Sequence, residues 1–167
     1  MTLLRLAAFG PRIAAFAFLA LVASASQAQD RFTISGDGQE VTDTTTRLAW
    51  RRCAEGLRWD GKECSGKLKT FKYPEAKDAA AAGAKADSKA WRIPTKDELV
   101  ALVDKTAKKK PRIDIKAFPQ TPAKPFWAIR PGSDDDLSAW LVNFANGKVT
   151  GNTGQRRFPL RLVRTSA

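Results

Sequence analysis

The chain has 167 residues, with 29 lysines and arginines against 17 aspartates and glutamates, no histidine and two cysteines. Without an imidazole there is no triad base, the commonest metal ligand is missing and so is the usual general acid–base at neutral pH, and two cysteines alone cannot complete a zinc site. That leaves carboxylate or lysine catalysis, to which no spacing points, and a formal charge of +12 that points to a polyanionic partner instead.

At the start, Arg5 and Arg12 precede an apolar run at residues 13–23, which gives way to Ser24-Ala25-Ser26-Gln27-Ala28. This is the charged, apolar, small-x-small pattern of a cleavable signal peptide, with Ser26 and Ala28 at the small positions. A membrane span needs about 20 apolar residues, and Pro11-Arg12 cuts this run well short. Residues 1–28 are therefore expected to be removed, leaving a single domain over residues 29–167. That domain is exported to the periplasm or the cell surface, with no transmembrane anchor after cleavage. The removed segment carries two arginines and no acid, so +10 of the +12 stays with the domain. Export argues against nucleic acid and for an anionic polysaccharide, lipopolysaccharide or another envelope polyanion. The plain alternative is a solvated basic surface with no single partner.

Phe32-Thr33-Ile34, Val41-Thr42-Asp43 and Leu48-Ala49-Trp50 read as short strands, with Asp37-Gly38 as the first hairpin turn. Cys53 and Cys64 are close enough in sequence to pair in an oxidising compartment; their spacing is not the C-x-x-C of redox dithiols. The loop they close is polar and turn-rich, and closing it stabilises the fold by about 3 kcal/mol. Pro74 and Glu75 open a first helix that buries Ala76, Ala79 and Ala80, with Gly83 placed to end it.

Thr95-Lys96-Asp97-Glu98 is a capping box. It opens a second helix with Leu99, Leu102 and Val103 as the buried stripe. Lys105, Lys108 and Lys109 are expected near that helix's negative end, and Pro111 bars continuation. Residues 119–131 are a proline-rich loop, apart from a strand around Phe126-Trp127-Ala128-Ile129. Ser133-Asp134-Asp135-Asp136 reads as a solvated acidic loop. Trp140, Val142 and Phe144 then alternate with Leu141, Asn143 and Ala145 up to an Asn146-Gly147 turn. In the last strand Phe158, Leu160 and Leu162 share a face, which puts Arg161 on the opposite, solvent-exposed face. The order of strands, two helices and strands predicts an α+β domain: two helices on a mostly antiparallel, twisted sheet of short strands, with one disulfide.

Several segments together resemble the Lcl C-terminal domain family, a domain of unknown function that includes the terminal domain of a bacterial collagen-like adhesin. They are Gly36-Asp37-Gly38 with Val41-Thr42-Asp43 and Leu48-Ala49-Trp50; Cys53 with Gly56, Trp59, Asp60-Gly61 and Cys64; Trp91-Arg92-Ile93-Pro94-Thr95 with Glu98-Leu99; Ala139-Trp140 through Asn143-Phe144 to Asn146-Gly147; and Arg161-Leu162-Val163-Arg164. The Trp-Arg-Ile-Pro-Thr element is also similar to one in formylglycine-generating enzymes and, more remotely, in the C-type-lectin-like fold. The resemblance thus implies a C-type-lectin-like domain. Family members often have glycine where this chain has Arg47, and serines after the tryptophan where it has Ala128. The redox cysteines of the formylglycine-generating enzymes have no counterpart here, since no cysteine follows Cys64.

Trp91, Arg92, Pro94, Thr95, Glu98, Trp140, Asn143, Phe144 and Gly147 are read as scaffold: Trp91 and Ile93 plug the core, and Arg92 bridges backbone carbonyls or a carboxylate. The candidate polyanion contacts are Lys108, Lys109, Lys110, Arg112, Arg156, Arg157, Arg161 and Arg164, whose forked or compact cations suit sulfate, phosphate and carboxylate groups. No catalytic residue, metal ligand or cofactor is assigned. The expected function is an exported, non-catalytic, adhesin-like module for anionic glycans. The alternatives are a periplasmic protein-interaction or structural subunit and, further off, a lectin-fold enzyme.

Overall fold

Alternation in Glu40-Val41-Thr42-Asp43 turns Val41 and Asp43 inward, and the strand they form anchors the first sheet. The computed structural model describes residues 30–129 and 139–166. The expected signal peptide and the acidic loop at residues 133–136 lie outside these. Strands β1 (Phe32–Ile34), β2 (Glu40–Asp43), β3 (Leu48–Arg51) and β9 (Val163–Thr165) form an antiparallel sheet in the order β1-β2-β3-β9. The predicted Asp37-Gly38 turn joins β1 to β2: the Gly38 N–H donates to the Ser35 carbonyl at 2.8 Å, at a φ of +70°.

Cys53 and Cys64 are disulfide-bonded. The loop they close is more ordered than its composition suggests. Strands β4 (Leu57–Trp59) and β5 (Cys64–Gly66) pair across it, with Trp59 opposite Cys64.

Helix α1 (Tyr73–Asp87) starts as predicted, with Pro74 in its first turn, but runs four residues past Gly83 and ends on Ser88 in the left-handed conformation. The expectation that Gly83 stops the helix is corrected. An alanine Cβ there would sit 2.9 Å from Leu162 Cδ1, so the glycine serves a close helix–core approach. Helix α2 (Lys96–Ala101) keeps the predicted capping box, the Thr95 hydroxyl accepting from the Glu98 N–H at 3.2 Å. It is shorter than predicted and ends at Leu102. Asp104 accepts from the N–H groups of Thr106 and Ala107 at 2.8 and 3.1 Å. That local turn competes with helical pairing, so Lys105, Lys108 and Lys109 are not helix-end residues.

Strands β6 (Pro125–Ile129), β7 (Ala139–Asn143) and β8 (Val149–Asn152) form a second, three-stranded antiparallel sheet that is covered on both faces. Phe126, Ala128 and Val142 pack with Val41, Trp50, Leu99 and Phe118 in one core. Trp127, Ala139 and Leu141 pack with Tyr73, Ala76, Trp91 and Leu160 in the other. Burial on alternate faces explains the unbroken apolar run Phe126-Trp127-Ala128-Ile129. The fold is α+β, with two helices and antiparallel sheets of short strands. Among the described residues, no helix is long and apolar enough to cross a membrane.

The last segment departs from simple alternation. Only Val163–Thr165 pairs regularly, with β3. Leu160, Arg161 and Leu162 are all 0% exposed. Arg161 is thus not on an open face, which corrects the exposure expected from the Leu160/Leu162 pattern. Its guanidinium is held inside: Nη1 donates to the carbonyls of Arg51 at 2.7 Å and Arg52, and Nη2 to the Thr121 hydroxyl at 2.8 Å, while Nε is buried with no hydrogen-bond partner among the described residues. It also stacks 4.9 Å from the Phe118 ring.

Candidate basic surface

The Trp-Arg-Ile-Pro-Thr segment leads into α2. Trp91 and Ile93 are buried. Arg92 makes a bidentate contact with Glu98, at 2.8 Å from Nη1 and 2.7 Å from Nη2. The same carboxylate accepts from the Thr95 N–H at 2.8 Å. Burial works against the Glu98 carboxylate, but the hydrogen bonds from Arg92 and Thr95 outweigh it and hold its pKa below the usual range. Asn143 and Gly147 build the β7–β8 turn: the Gly147 N–H donates to the Asn143 carbonyl at 2.7 Å, with Gly147 at a φ of +75°. Phe144 is fully buried, 5.3 Å from Phe126 edge to face.

The eight candidate cations do not form one cluster. Arg161 is internal, and burial pushes its pKa down to about 9. Arg164 donates to Glu40 at 2.6 Å and lies 5.4 Å from the Trp91 ring, as Arg51 does. Glu40, Arg51, Asp87 and Trp91 line a polar cleft of about 120 Å³; Glu40 also holds Lys89, and Asp87 holds Arg51. Arg157 pairs with Glu75 and donates to the Thr70 carbonyl at 2.7 Å. Arg156 is exposed, its guanidinium 5.4 Å from the Phe158 ring.

Lys108, Lys109 and Lys110 are different: all are exposed, and none is in an ion pair among the described residues. Arg112 is half-buried, its N–H donating to the Phe144 carbonyl at 2.7 Å. This fastens the lysine segment to the Pro125/Asn143/Val149 end of the second sheet. Arg156 and Arg157 leave from the other end, beyond Asn152, where the Phe71–Phe158 bridge brings them beside the exposed Lys72.

Two residues of the basic end escaped sequence reasoning. Lys116 is exposed and lines two adjoining grooves, one of about 670 Å³ and one of about 650 Å³. Ile115 is 61% exposed on the second groove. Alternation with Ile113 gave no warning. Asp114 accepts from the Lys116 and Ala117 N–H groups at 2.8 and 3.0 Å, and that turn sends Ile113 inward and Ile115 out. Among the described residues, no group of three or more His, Cys, Asp or Glu side chains is placed to share a metal ion.

The sequence model of the Lcl C-terminal domain matches residues 39–164, which take in the disulfide hairpin, both helices and the second sheet. The chain belongs to this family. No curated protein and no solved structure matches it. Two positions of this Lcl C-terminal domain, Arg47 and Ala128, have a clear structural context. Arg47 holds a φ of +56°, a conformation suited to glycine. Ala128 is fully buried, so the position offers no ligand contact here.

Proposed function

We propose that this Lcl C-terminal domain is an exported, non-catalytic binding module with a C-type-lectin-like fold, and that it recognises anionic glycans or other envelope polyanions. The observation that carries the reading is the segment of residues 104–116. It holds six basic residues against two acids. Lys105, Lys108, Lys109, Lys110 and Lys116 are exposed and, among the described residues, in no ion pair. Both acids are turned on their own loops: Asp104 accepts from Thr106 and Ala107, Asp114 from Lys116 and Ala117. The lysine charges are thus left for a partner, and steering by such a cluster raises association rates strongly at low salt.

The non-catalytic reading is supported by the chain's lack of histidine. Arg161, whose pKa burial pushes down to about 9, is enclosed in the fold and not in an open cleft.

Retention of the exported protein on an immobilised sulfated glycan over a salt gradient tests the proposal. Lys108→Gln/Lys109→Gln/Lys110→Gln is expected to elute at clearly lower salt than the parent, and Arg156→Gln/Arg157→Gln to shift elution less. Passage of the parent through the column without retention would reject it. A partner protein captured by crosslinking, with no glycan retention, would favour the protein-interaction alternative.

A further inference from the structure

We propose that the lysine face docks on an anionic lipid surface, with Ile115 and Ile34 entering the headgroup–acyl boundary. The inference rests on the polyanion reading for its charge and goes beyond it in the apolar half of the contact. Among the described residues, Ile34 and Ile115 are the exposed large hydrophobics, at 42% and 61%. They do not lie at random. Ile34 lines the first groove and Ile115 the second, and the two grooves share Asp104, Asp114 and Lys116. Lys105 lines the first, and Lys108, Lys109 and Lys110 line the second.

A soluble polyanion gives an exposed isoleucine nothing, because it carries no apolar phase. An apolar protein patch gives the lysines nothing. A leaflet of anionic lipid satisfies both: negative headgroups for the ammonium groups and hydrocarbon directly beneath for the isoleucines. Lysine suits this arrangement, since its four-carbon stem packs along apolar surface while the charge stays in water. The chain also enters the described domain at this face, where Asp30 and Arg31 line the first groove.

Sedimentation of the full-length chain, produced with its own leader and purified, with lipid vesicles tests the proposal. The parent is expected to bind vesicles rich in phosphatidylglycerol and to ignore pure phosphatidylcholine. Raising the salt should weaken binding but leave a residual fraction. Ile115→Ser is expected to weaken vesicle affinity about ten-fold and to remove that residue, while retention on the sulfated glycan stays unchanged. Ile34→Ser should act in the same direction. Both positions are exposed, so an unchanged thermal midpoint certifies the fold. The lysine triple variant should weaken both vesicle and glycan binding. Vesicle binding that is indifferent to Ile115→Ser and Ile34→Ser overturns the inference. Glycan retention without vesicle binding overturns it too and leaves the polyanion reading standing. Loss of both interactions in the parent defeats both. A parent that ignores vesicles and self-associates through Ile115 also overturns it.

Discussion

Arg161 Nη1 donates to the Arg51 carbonyl at 2.7 Å across 110 positions of sequence. With the bonds to the Arg52 carbonyl and Thr121, this guanidinium satisfies polar groups contributed by β3, the following residue and a distant loop. Arg161→Met removes the cation and leaves those partners buried without donors. The expected cost is about 3 kcal/mol, read as a drop in the urea midpoint. Retention on the sulfated glycan by the folded fraction should not change, because Arg161 reaches no surface.

Arg47 offers a gain. Its φ of +56° strains a side-chain-bearing residue, and its side chain is exposed. Its backbone is what the fold uses: the Arg47 N–H donates to the Asp43 carbonyl at 2.8 Å, and its carbonyl accepts from the Ser166 N–H at 3.1 Å. Arg47→Gly keeps both bonds and relieves the strain. It should raise stability by about 0.5–1 kcal/mol, seen as a higher thermal midpoint.

The disulfide gives a third expectation. Cys53 and Cys64 are both buried, at 6% and 4% exposure, so reductant should act slowly on the native protein and faster in mild denaturant. Cys53→Ser/Cys64→Ser is expected to lose about 3 kcal/mol in denaturant titration.

Acid should unfold the domain through identifiable carboxylates. Burial works against Asp43, but the Arg31 side chain, at 3.1 and 2.7 Å, outweighs it and holds the pKa below the ordinary 3.8. Glu98 lies below its ordinary 4.5. A depressed carboxyl pKa contributes stability that is present above the ordinary value and is lost as pH falls through the folded one. Glu55 has the opposite sign: burial raises its pKa, so its contribution is full below 4.5 and fades as pH rises through the folded value. Urea midpoints should therefore fall steeply below about pH 4.5. Glu98→Gln should flatten that acid limb, and Glu55→Gln should flatten the weaker, opposing slope above it.

The parts of this fold that were legible in the sequence are those whose cause is local. Thr95 and Glu98 cap a helix wherever they occur three apart before an apolar stripe, and Asp37-Gly38 turns a chain by its own backbone freedom. Gly83 and Arg161 were misread because their reasons lie far along the chain, in Leu162 for one and in the Arg51 and Arg52 carbonyls for the other. The basic surface was half legible. Lys108, Lys109 and Lys110 stand out as a run, but the turn at Asp114 that exposes Ile115 and adds Lys116 depends on side-chain-to-backbone bonds that alternation does not encode. Arg164 was placed with the free cations because its partner, Glu40, is 124 positions away.

The pairing of Trp50 with Val163 has a consequence for how the molecule is made. The first sheet is begun near the start of the chain and finished by residues close to its end. A ribosome stopped at residue 160 would have produced β1 to β8, both helices and both cysteines, yet Trp50 would still lack its neighbour in β9 and the Arg51 and Arg52 carbonyls their donor. Such long-range closure leaves β3 unpaired on one side until residues 163–165 have been added.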